Sequence, residues 1–369
     1  MPLKNHFRHQ LYQATEPTAP WRYVEAELPV PPESSAFAAR VSAFDKAVAD
    51  EVDAIWFVHG TFAGDDALGW FGQLERLIPA AGPMLKKFGK KLTDVLAGDS
   101  GNFTPAFVDL VSVKPETRRF IWSGENTHSG RCKAAIELLA ELLQRVEDQP
   151  RVMLWGHSHA GNVAALITNL LGAEDWVRDQ FLGLVEPLFP IRNDRMCAFS
   201  RVRSALDSGL ANELKIDVVS FGTPVTYGWD SAGYRKLVNV VSHVPQLGQP
   251  KWLCPLIEAG KNFRDGIPGD MVQILGITGS DFLPWLLNRT TRVVESELHE
   301  FLAPDCSRRD WWSRARVGMR VGDEGETVLV KYDVADGHAS QTFGHSVYTK
   351  PEWLAFHLDL VRQLYRPVA

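Results

Sequence analysis

The sequence predicts an α/β protein, in which helices cover both faces of a mostly parallel β-sheet. Short and nearly continuous apolar runs recur along the chain, which is typical of strands buried on both faces of a parallel sheet. Segments with helical periodicity stand between several of these runs, as the crossovers between parallel strands require. The strands are expected at residues 54–58, 119–122, 152–155, 216–221, 237–241 and 328–332.

Two segments between these strands have the clearest helical pattern. In residues 135–146 and 160–171, apolar side chains recur every three or four positions and form one stripe along a helix. The stripes consist of Ile136, Leu139, Leu142, Leu143 and Val146 in the first segment and of Val163, Leu166, Ile167 and Leu170 in the second. A further helix is expected at residues 351–365, after the last strand.

The composition is that of an ordinary globular protein. Of the 369 residues, 45% are hydrophobic and 23% are charged, which excludes a disordered or collagen-like chain. The formal net charge of -6 gives no basic surface for nucleic acid, so no such partner is expected. The cysteines, Cys132, Cys197, Cys254 and Cys306, lie far apart, and so indicate neither a zinc site nor a disulfide framework. Without a signal sequence or a membrane-spanning apolar run, a cytoplasmic location is expected, and export by another route is the alternative.

The chain is expected to form one large domain with insertions. Residues 1–50 are polar and interrupted by prolines, which predicts an irregular surface arm with room for one short edge strand. Residues 51–369 are expected to form the α/β domain. Three stretches within it are too long for simple crossovers, which are usually short. These stretches, expected to be helical lids at the carboxyl ends of the strands, are residues 65–115, 172–214 and 250–315.

The most specific functional motif is Gly-His-Ser-His-Ala-Gly at residues 156–161. An expected strand ends at Gly156, and an expected helix begins just after Ser158. Such a sharp turn strains the central residue and raises its hydroxyl above the sheet, as in the G-x-S-x-G nucleophile elbow. Ala160 replaces the second glycine, and Gly161 follows it. An inert serine in a glycine-rich turn is the alternative.

A second motif, Val-His-Gly-Thr-Phe at residues 58–62, follows the first expected strand. In serine hydrolases with a nucleophile elbow, one oxyanion-hole N–H comes from the residue after the nucleophile and another from a loop after an early strand. These donors would be the N–H groups of His159 and of Thr61 or Phe62. Gly60 would allow the loop to turn tightly.

The general base is expected in the loop after the last strand, because it has to reach back over the serine. His338 and His345 both lie there. His345 is preferred, since its segment leads directly into the expected closing helix.

Together with Ser-Phe-Gly-Thr-Pro at 220–224 and His-Ser-Val-Tyr at 345–348, these motifs resemble the α/β-hydrolase superfamily, in its lipase and esterase branch. The resemblance covers residues 53–365 in motif order. It implies an α/β-hydrolase fold with lid insertions, hydrolysis of an acyl ester, and the chain order serine, acid, histidine. Trp-Ser-Gly-Glu-Asn at 122–126 is further similar to a group of bacterial serine hydrolases of poorly defined substrate.

The resemblance places the acid after the strand at 237–241, where this chain has Ser242 and therefore no carboxylate. Asp270 is the preferred acid, because Asp-Met-Val keeps the Asp-x-Val form of lipases. Asp281 and Asp265 are the alternatives.

The sequence thus predicts a carboxylic ester hydrolase without metal or cofactor, acting on a small-molecule or lipid-like ester. Aromatic residues of the insertions, Trp176, Phe181, Phe282 and Trp285, are expected to line an acyl pocket. Lysines at helical spacing in the first insertion allow peripheral contact with an anionic lipid surface; they are Lys86, Lys87, Lys90 and Lys91. Two other functions stay open: a non-catalytic binding protein on this scaffold, and a metal-dependent hydrolase through His157 and His159.

Overall fold

The structure, a computed structural model, describes residues 15–60, 103–189, 194–255, 269–270, 272–273, 289–303, 317–334 and 344–365. Its strands are β1 (Trp21–Glu25), β2 (Ala54–Val58), β3 (Glu116–Phe120), β4 (Arg151–His157), β5 (Lys215–Phe221), β6 (Lys236–Ser242) and β7 (Glu326–Lys331). Its helices are α1 (Ser35–Val48), α2 (Pro105–Asp109), α3 (His128–Leu143), α4 (Ala160–Gly172), α5 (Asp175–Val185), α6 (Asp194–Ser208), α7 (Arg289–Leu302) and α8 (Pro351–Arg362).

The described strands form one seven-stranded sheet, in the order β1-β7-β6-β5-β4-β2-β3, and every pairing is parallel. This confirms the predicted α/β class with a parallel sheet. Because all strands point the same way, their carboxyl ends meet at one edge of the sheet. The residues that follow β2, β4, β5 and β6 are therefore brought side by side, and ligands of open parallel sheets bind at this edge.

Successive residues of the central strands are buried in two different core layers. Trp56, Leu154 and Val218 pack in the layer that contains α3 and α4. Their neighbours Phe57 and Trp155 pack in the layer that contains α1 and α8. Since side chains alternate between the faces of a strand, covering both faces requires apolar residues at every position. That requirement explains the continuous apolar runs in the sequence.

The second of the expected strands, which is β3 in the structure, begins and ends earlier than the sequence predicts. Residues 119–122 were expected, whereas β3 spans Glu116–Phe120 and pairs with β2 alone. An edge strand is less enclosed than a central one, and it therefore accepts polar side chains such as Arg118 and Arg119. The apolar pattern on which the prediction rested marks only the end of such a strand.

The expectation of an irregular arm over residues 1–50 was wrong for its described part. Helix α1 occupies Ser35–Val48, and the Ser34 side chain caps it by accepting a 3.1 Å hydrogen bond from the Phe37 N–H. The buried face of α1, made of Phe37, Val41, Phe44 and Val48, packs in the layer that contains α8. The allowed edge strand is β1, which pairs with β7. This segment therefore belongs to the core.

Two of the expected insertions contain described helices. Helices α5 and α6 lie in residues 172–214, α7 lies in residues 250–315, and all three contact α3. They extend one core layer, to which they contribute Phe181, Phe199 and Leu298. None of the described helices is long and apolar enough to cross a membrane.

Candidate active site

Ser158 occupies the turn between β4 and α4 and has a left-handed backbone. Its φ of 57° is the only positive value at a non-glycine residue in the described part of the chain. Such a conformation costs about 1–3 kcal/mol and persists only where its surroundings enforce it. Here the Ser158 N–H donates to the carbonyl oxygen of Phe221 at 2.8 Å. The Ser158 carbonyl accepts from the Gly161 N–H at 3.0 Å and from the Thr223 hydroxyl at 2.9 Å.

Two glycines allow the strand and the helix to approach around this turn. A Cβ atom on Gly161 would lie 2.0 Å from Thr223 Oγ1, and one on Gly156 would lie 3.2 Å from the backbone of Ala160. Because residue 156 is glycine, the Ala160 methyl group meets no Cβ atom there. The glycine that the turn requires after the serine is therefore Gly161, which explains why the alanine before it is tolerated.

The end of β2 passes directly beside the serine. A Cβ atom on Gly60 would lie 2.6 Å from Ser158 Cβ and 3.3 Å from Ser158 Oγ, so only glycine fits. The preceding His59 is held by Trp122, whose backbone N–H donates to His59 Nε2 at 3.1 Å and whose indole N–H donates to the His59 carbonyl at 2.7 Å. His59 Nδ1 therefore carries a proton, which it donates to the Gly60 carbonyl at 2.7 Å. Thr61 and Phe62 lie outside the described residues.

His345 and Asp270 form a buried pair. His345 Nδ1 lies 2.8 Å from Asp270 Oδ2, and both side chains are almost completely shielded from solvent. An ionised carboxylate only accepts hydrogen bonds, so Nδ1 carries the proton. Neutral His345 therefore keeps a lone pair on Nε2, the tautomer that a general base needs. The alternatives His338, Asp265 and Asp281 lie outside the described residues.

Asp270 reaches His345 because its segment pairs with the end of β6. The Asp270 N–H donates to the Ser242 carbonyl at 2.9 Å, and Gly269 forms an antiparallel bridge with His243. Gly269 has a φ of 94°, and a Cβ atom there would lie 2.4 Å from the Ser242 carbonyl oxygen. Asp270 thus lies beside Ser242, the position at which the resemblance predicts an acid.

Further groups hold the Asp270 carboxylate. Its Oδ2 atom also accepts from the Tyr348 hydroxyl at 2.9 Å, and its Oδ1 atom accepts from the Gln273 N–H at 2.8 Å. Burial alone would raise the pKa of Asp270. The charge and hydrogen bond of His345, the Arg320 charge and the Gln273 N–H outweigh burial and hold that pKa below its ordinary value. Asp270 is therefore ionised at neutral pH.

The buried Arg320 side chain stabilises the segment that carries Asp270 and Gln273, here called the acid segment. Its guanidinium donates to the carbonyls of Asp270 at 3.1 Å and Ser242 at 2.7 Å, and it also contacts Gln273 Oε1. Gln273 in turn donates to the Thr223 carbonyl at 3.1 Å, beside the serine turn. The acid segment and the serine turn are thus joined by hydrogen bonds.

The histidines on either side of Ser158 do not converge as a metal pair. His159 Nδ1 accepts hydrogen bonds from the Asn162 amide at 3.0 Å and from the Arg131 guanidinium at 3.4 Å. Because an amide N–H₂ and a guanidinium can only donate, the Nδ1 lone pair is already engaged. His157 Nε2 lies 3.1 Å from the His345 carbonyl oxygen and donates a hydrogen bond to it. In the described ranges, no three His, Cys, Asp or Glu residues are grouped so that they could hold a metal ion.

The predicted acyl-pocket residues have different environments. Phe181 is completely buried in the core, where its ring lies 6.3 Å from that of Phe301. Trp176 is half-exposed and lines a groove of about 500 Å³ between α5 and α7, whose lining includes none of Ser158, Asp270 and His345. A role of Trp176 in acyl binding stays a prediction, and Phe282 and Trp285 lie outside the described residues.

Tyr348, Gln273 and Arg320 around the acid were not singled out from the sequence. Tyr348 stood in the quoted His-Ser-Val-Tyr motif, and Gln273 is the residue after Asp-Met-Val, so local signals existed for both. Arg320 has no such signal, because its contacts are all distant in sequence.

The site therefore combines a strained serine, a histidine in its basic tautomer and an ionised aspartate at the carboxyl edge of a parallel sheet. Comparison of the chain with protein-family models, curated proteins and solved structures finds no match.

Proposed function

We propose that the protein is a serine hydrolase that cleaves carboxylic esters, of lipid-like or other acyl substrates, through an acyl-enzyme. The observation that carries the proposal is the buried His345–Asp270 pair, whose His345 carbonyl bonds to His157, the residue directly before a serine that is held in a left-handed turn. A parallel sheet with the serine at the end of an interior strand is also compatible with the α/β-hydrolase fold.

In the proposed reaction, Ser158 Oγ attacks the ester carbonyl while His345 Nε2 takes its proton. The resulting tetrahedral intermediate expels the alcohol, which leaves with that proton. Water then attacks the acyl-Ser158 ester, again with His345 as base, and the acid product leaves as Ser158 regains its proton. Each step uses groups of the chain itself, so the mechanism needs no metal or cofactor.

Asp270 orients the imidazole and stabilises its cationic form in this mechanism. The backbone N–H of His159 stands at the start of α4, where unpaired amides and the helix dipole favour negative charge. We assign it, with the N–H of Thr61 or Phe62, to the oxyanion that develops on the substrate. Each such donor contributes about 3–4 kcal/mol to lowering the barrier.

A fluorophosphonate probe tests this function, because it bonds covalently to activated serines. The wild-type protein should be labelled and the Ser158→Ala variant should not. Labelling that persists in the variant would exclude Ser158 as nucleophile. No labelling of the wild type would favour the non-catalytic binding protein, and activity lost to chelators would favour the metal-dependent hydrolase.

A series of p-nitrophenyl esters tests the substrate class. Hydrolysis should extend to long acyl chains if apolar residues of the insertions line the acyl site. Activity on acetate alone would contradict the lipid-like substrate while leaving the triad intact.

A further inference from the structure

His157 adjoins the proposed nucleophile in the chain and contacts the proposed base in space. It is the last residue of β4, directly before Ser158, and its Nε2 atom lies 3.1 Å from the backbone carbonyl of His345. A carbonyl oxygen only accepts, so Nε2 carries the proton and donates it. The end of the nucleophile strand is thereby bonded to the backbone of the base.

The other ring nitrogen, His157 Nδ1, is buried and has no hydrogen-bond partner among the described residues. A buried polar atom without a partner costs about 1–3 kcal/mol, and such atoms in native structures call for an explanation. Packing alone would be served better by an apolar side chain. The N–H donor at Nε2 is the property that an apolar side chain would lack.

The His157 ring also packs on the ring of His345. Their centroids are 4.6 Å apart, and Tyr348 and Phe103 flank His157 at 5.8 Å and 6.2 Å. Burial, with the neighbouring His345, lowers the pKa of His157 to about 3, so its ring is neutral at working pH. It can therefore support His345 without repelling the imidazolium that forms there.

We propose that His157 is a positioning residue, whose Nε2–H bond and ring contact hold His345 in register with Ser158. The inference rests on the proposed function, since it assigns to His157 the alignment of the serine–histidine pair. A displacement of a catalytic group by about 1 Å can lower the rate by about 100-fold, so loss of the His157 contacts should lower kcat.

Two variants separate the donor from the shape of the side chain. His157→Phe keeps a flat ring without a donor, whereas His157→Gln places an N–H donor near the same point. We expect kcat for an ester to fall by about 10- to 100-fold in the Phe variant with little change in KM. The Gln variant should recover most of that loss. If the Phe variant does not fold, His157→Met, which fills space without a donor, replaces it.

A measurement without turnover distinguishes this inference from the proposed function. The Nδ1 proton of His345 should give a low-field NMR resonance in the wild type and the Gln variant, and should exchange faster in the Phe variant. Wild-type kcat in the Phe variant, or the same low-field resonance in all three proteins, would overturn the inference. Failure of the wild type to bind the fluorophosphonate would instead overturn the proposed function, and the NMR comparison would still decide the role of His157.

Discussion

The N–H of Asp270 donates a 2.9 Å hydrogen bond to the carbonyl of Ser242, although the two residues are far apart in sequence. Ser242 ends β6, and so this bond brings the carboxylate to the sheet edge that also carries Ser158. Ser242 itself carries no charge, and a later segment places the Asp270 carboxylate beside it.

Asp270→Asn should nearly abolish ester hydrolysis without unfolding the protein. An amide still fits beside Tyr348 and the Gln273 N–H, but it neither fixes the His345 tautomer nor stabilises its positive charge. Loss of the equivalent carboxylate lowers kcat by about 10⁴-fold in serine proteases, and we expect a loss of similar order here. Steady-state kinetics on a p-nitrophenyl ester measures it.

The matched controls are Asp265→Asn and Asp281→Asn, at the two other carboxylates that the sequence favoured. Both should keep near-wild-type kcat. If either abolishes activity while Asp270→Asn keeps it, the acid has been wrongly assigned although the serine mechanism survives.

Gly161→Ala should disrupt the serine turn. The added methyl group would lie 2.0 Å from Thr223 Oγ1, which itself donates to the Ser158 carbonyl. Overpacking of this kind costs about 1–3 kcal/mol, and the relief of the clash should displace Ser158, so both the free energy of unfolding and kcat should fall. Urea denaturation and ester kinetics measure the two effects.

Gly183→Ala is the comparison for that variant. Gly183 lies within α5, and a Cβ atom there meets no other atom within 4 Å. The free energy of unfolding should therefore rise by about 0.5–1 kcal/mol, from the better helix propensity of alanine. Equal losses in the two variants would show that the contact with Thr223 is not the cause.

The sequence predicts features of this protein that depend on neighbouring residues. The buried strands and the serine turn are of this kind, because burial on both faces and a tight turn each impose a local pattern. Helix α1 had such a pattern too, since Phe37, Val41, Phe44 and Val48 share one face. The prolines before it favour an irregular segment instead, so the sequence predicts an arm where the structure has this helix.

The surroundings of the acid could not be predicted from local patterns. Asp270 is selected over other aspartates by the bridge between Gly269 and His243, which joins segments that are distant in sequence. Arg320 shows the same limit. Its role depends on burial against the carbonyls of Ser242 and Asp270, and nothing near it in the sequence indicates that burial.

Tyr348→Phe should lower both stability and activity. The hydroxyl accepts from the Ser242 N–H at 2.7 Å and donates to Asp270 Oδ2 at 2.9 Å, and Phe leaves both partners buried without it. We expect a loss of about 1–3 kcal/mol in the free energy of unfolding. The loss in kcat should be smaller than in Asp270→Asn, because His345 and Gln273 still hold the carboxylate.

Tyr332→Phe separates these two effects. Tyr332 is equally buried, but its hydroxyl bonds to His357 Nε2 at 2.8 Å. It should lose stability and keep wild-type kcat. An equal fall of kcat in both variants would mean that Tyr348 acts only through packing.

The free energy of unfolding should decrease steeply as the pH falls below about 6.5. Burial lowers the pKa of His157, His243 and His357 to about 3 in the folded protein. Between these two pH values the unfolded chain binds a proton at each histidine and the folded protein does not. Within this window, each histidine therefore lowers the free energy of unfolding by about 1.4 kcal/mol for each pH unit of acidification, and the three together lower it by about 4 kcal/mol per pH unit. Above about pH 6.5 this loss is absent. Urea titrations at several pH values measure this slope.

His357→Phe should reduce the slope by about one third, because it removes one of the three titrating groups. Tyr332→Phe breaks the same His357–Tyr332 hydrogen bond but keeps the imidazole. It should therefore lower the stability at every pH and leave the slope unchanged. An unchanged slope in His357→Phe would show that this histidine is already protonated in the folded state, contrary to the effect of its burial.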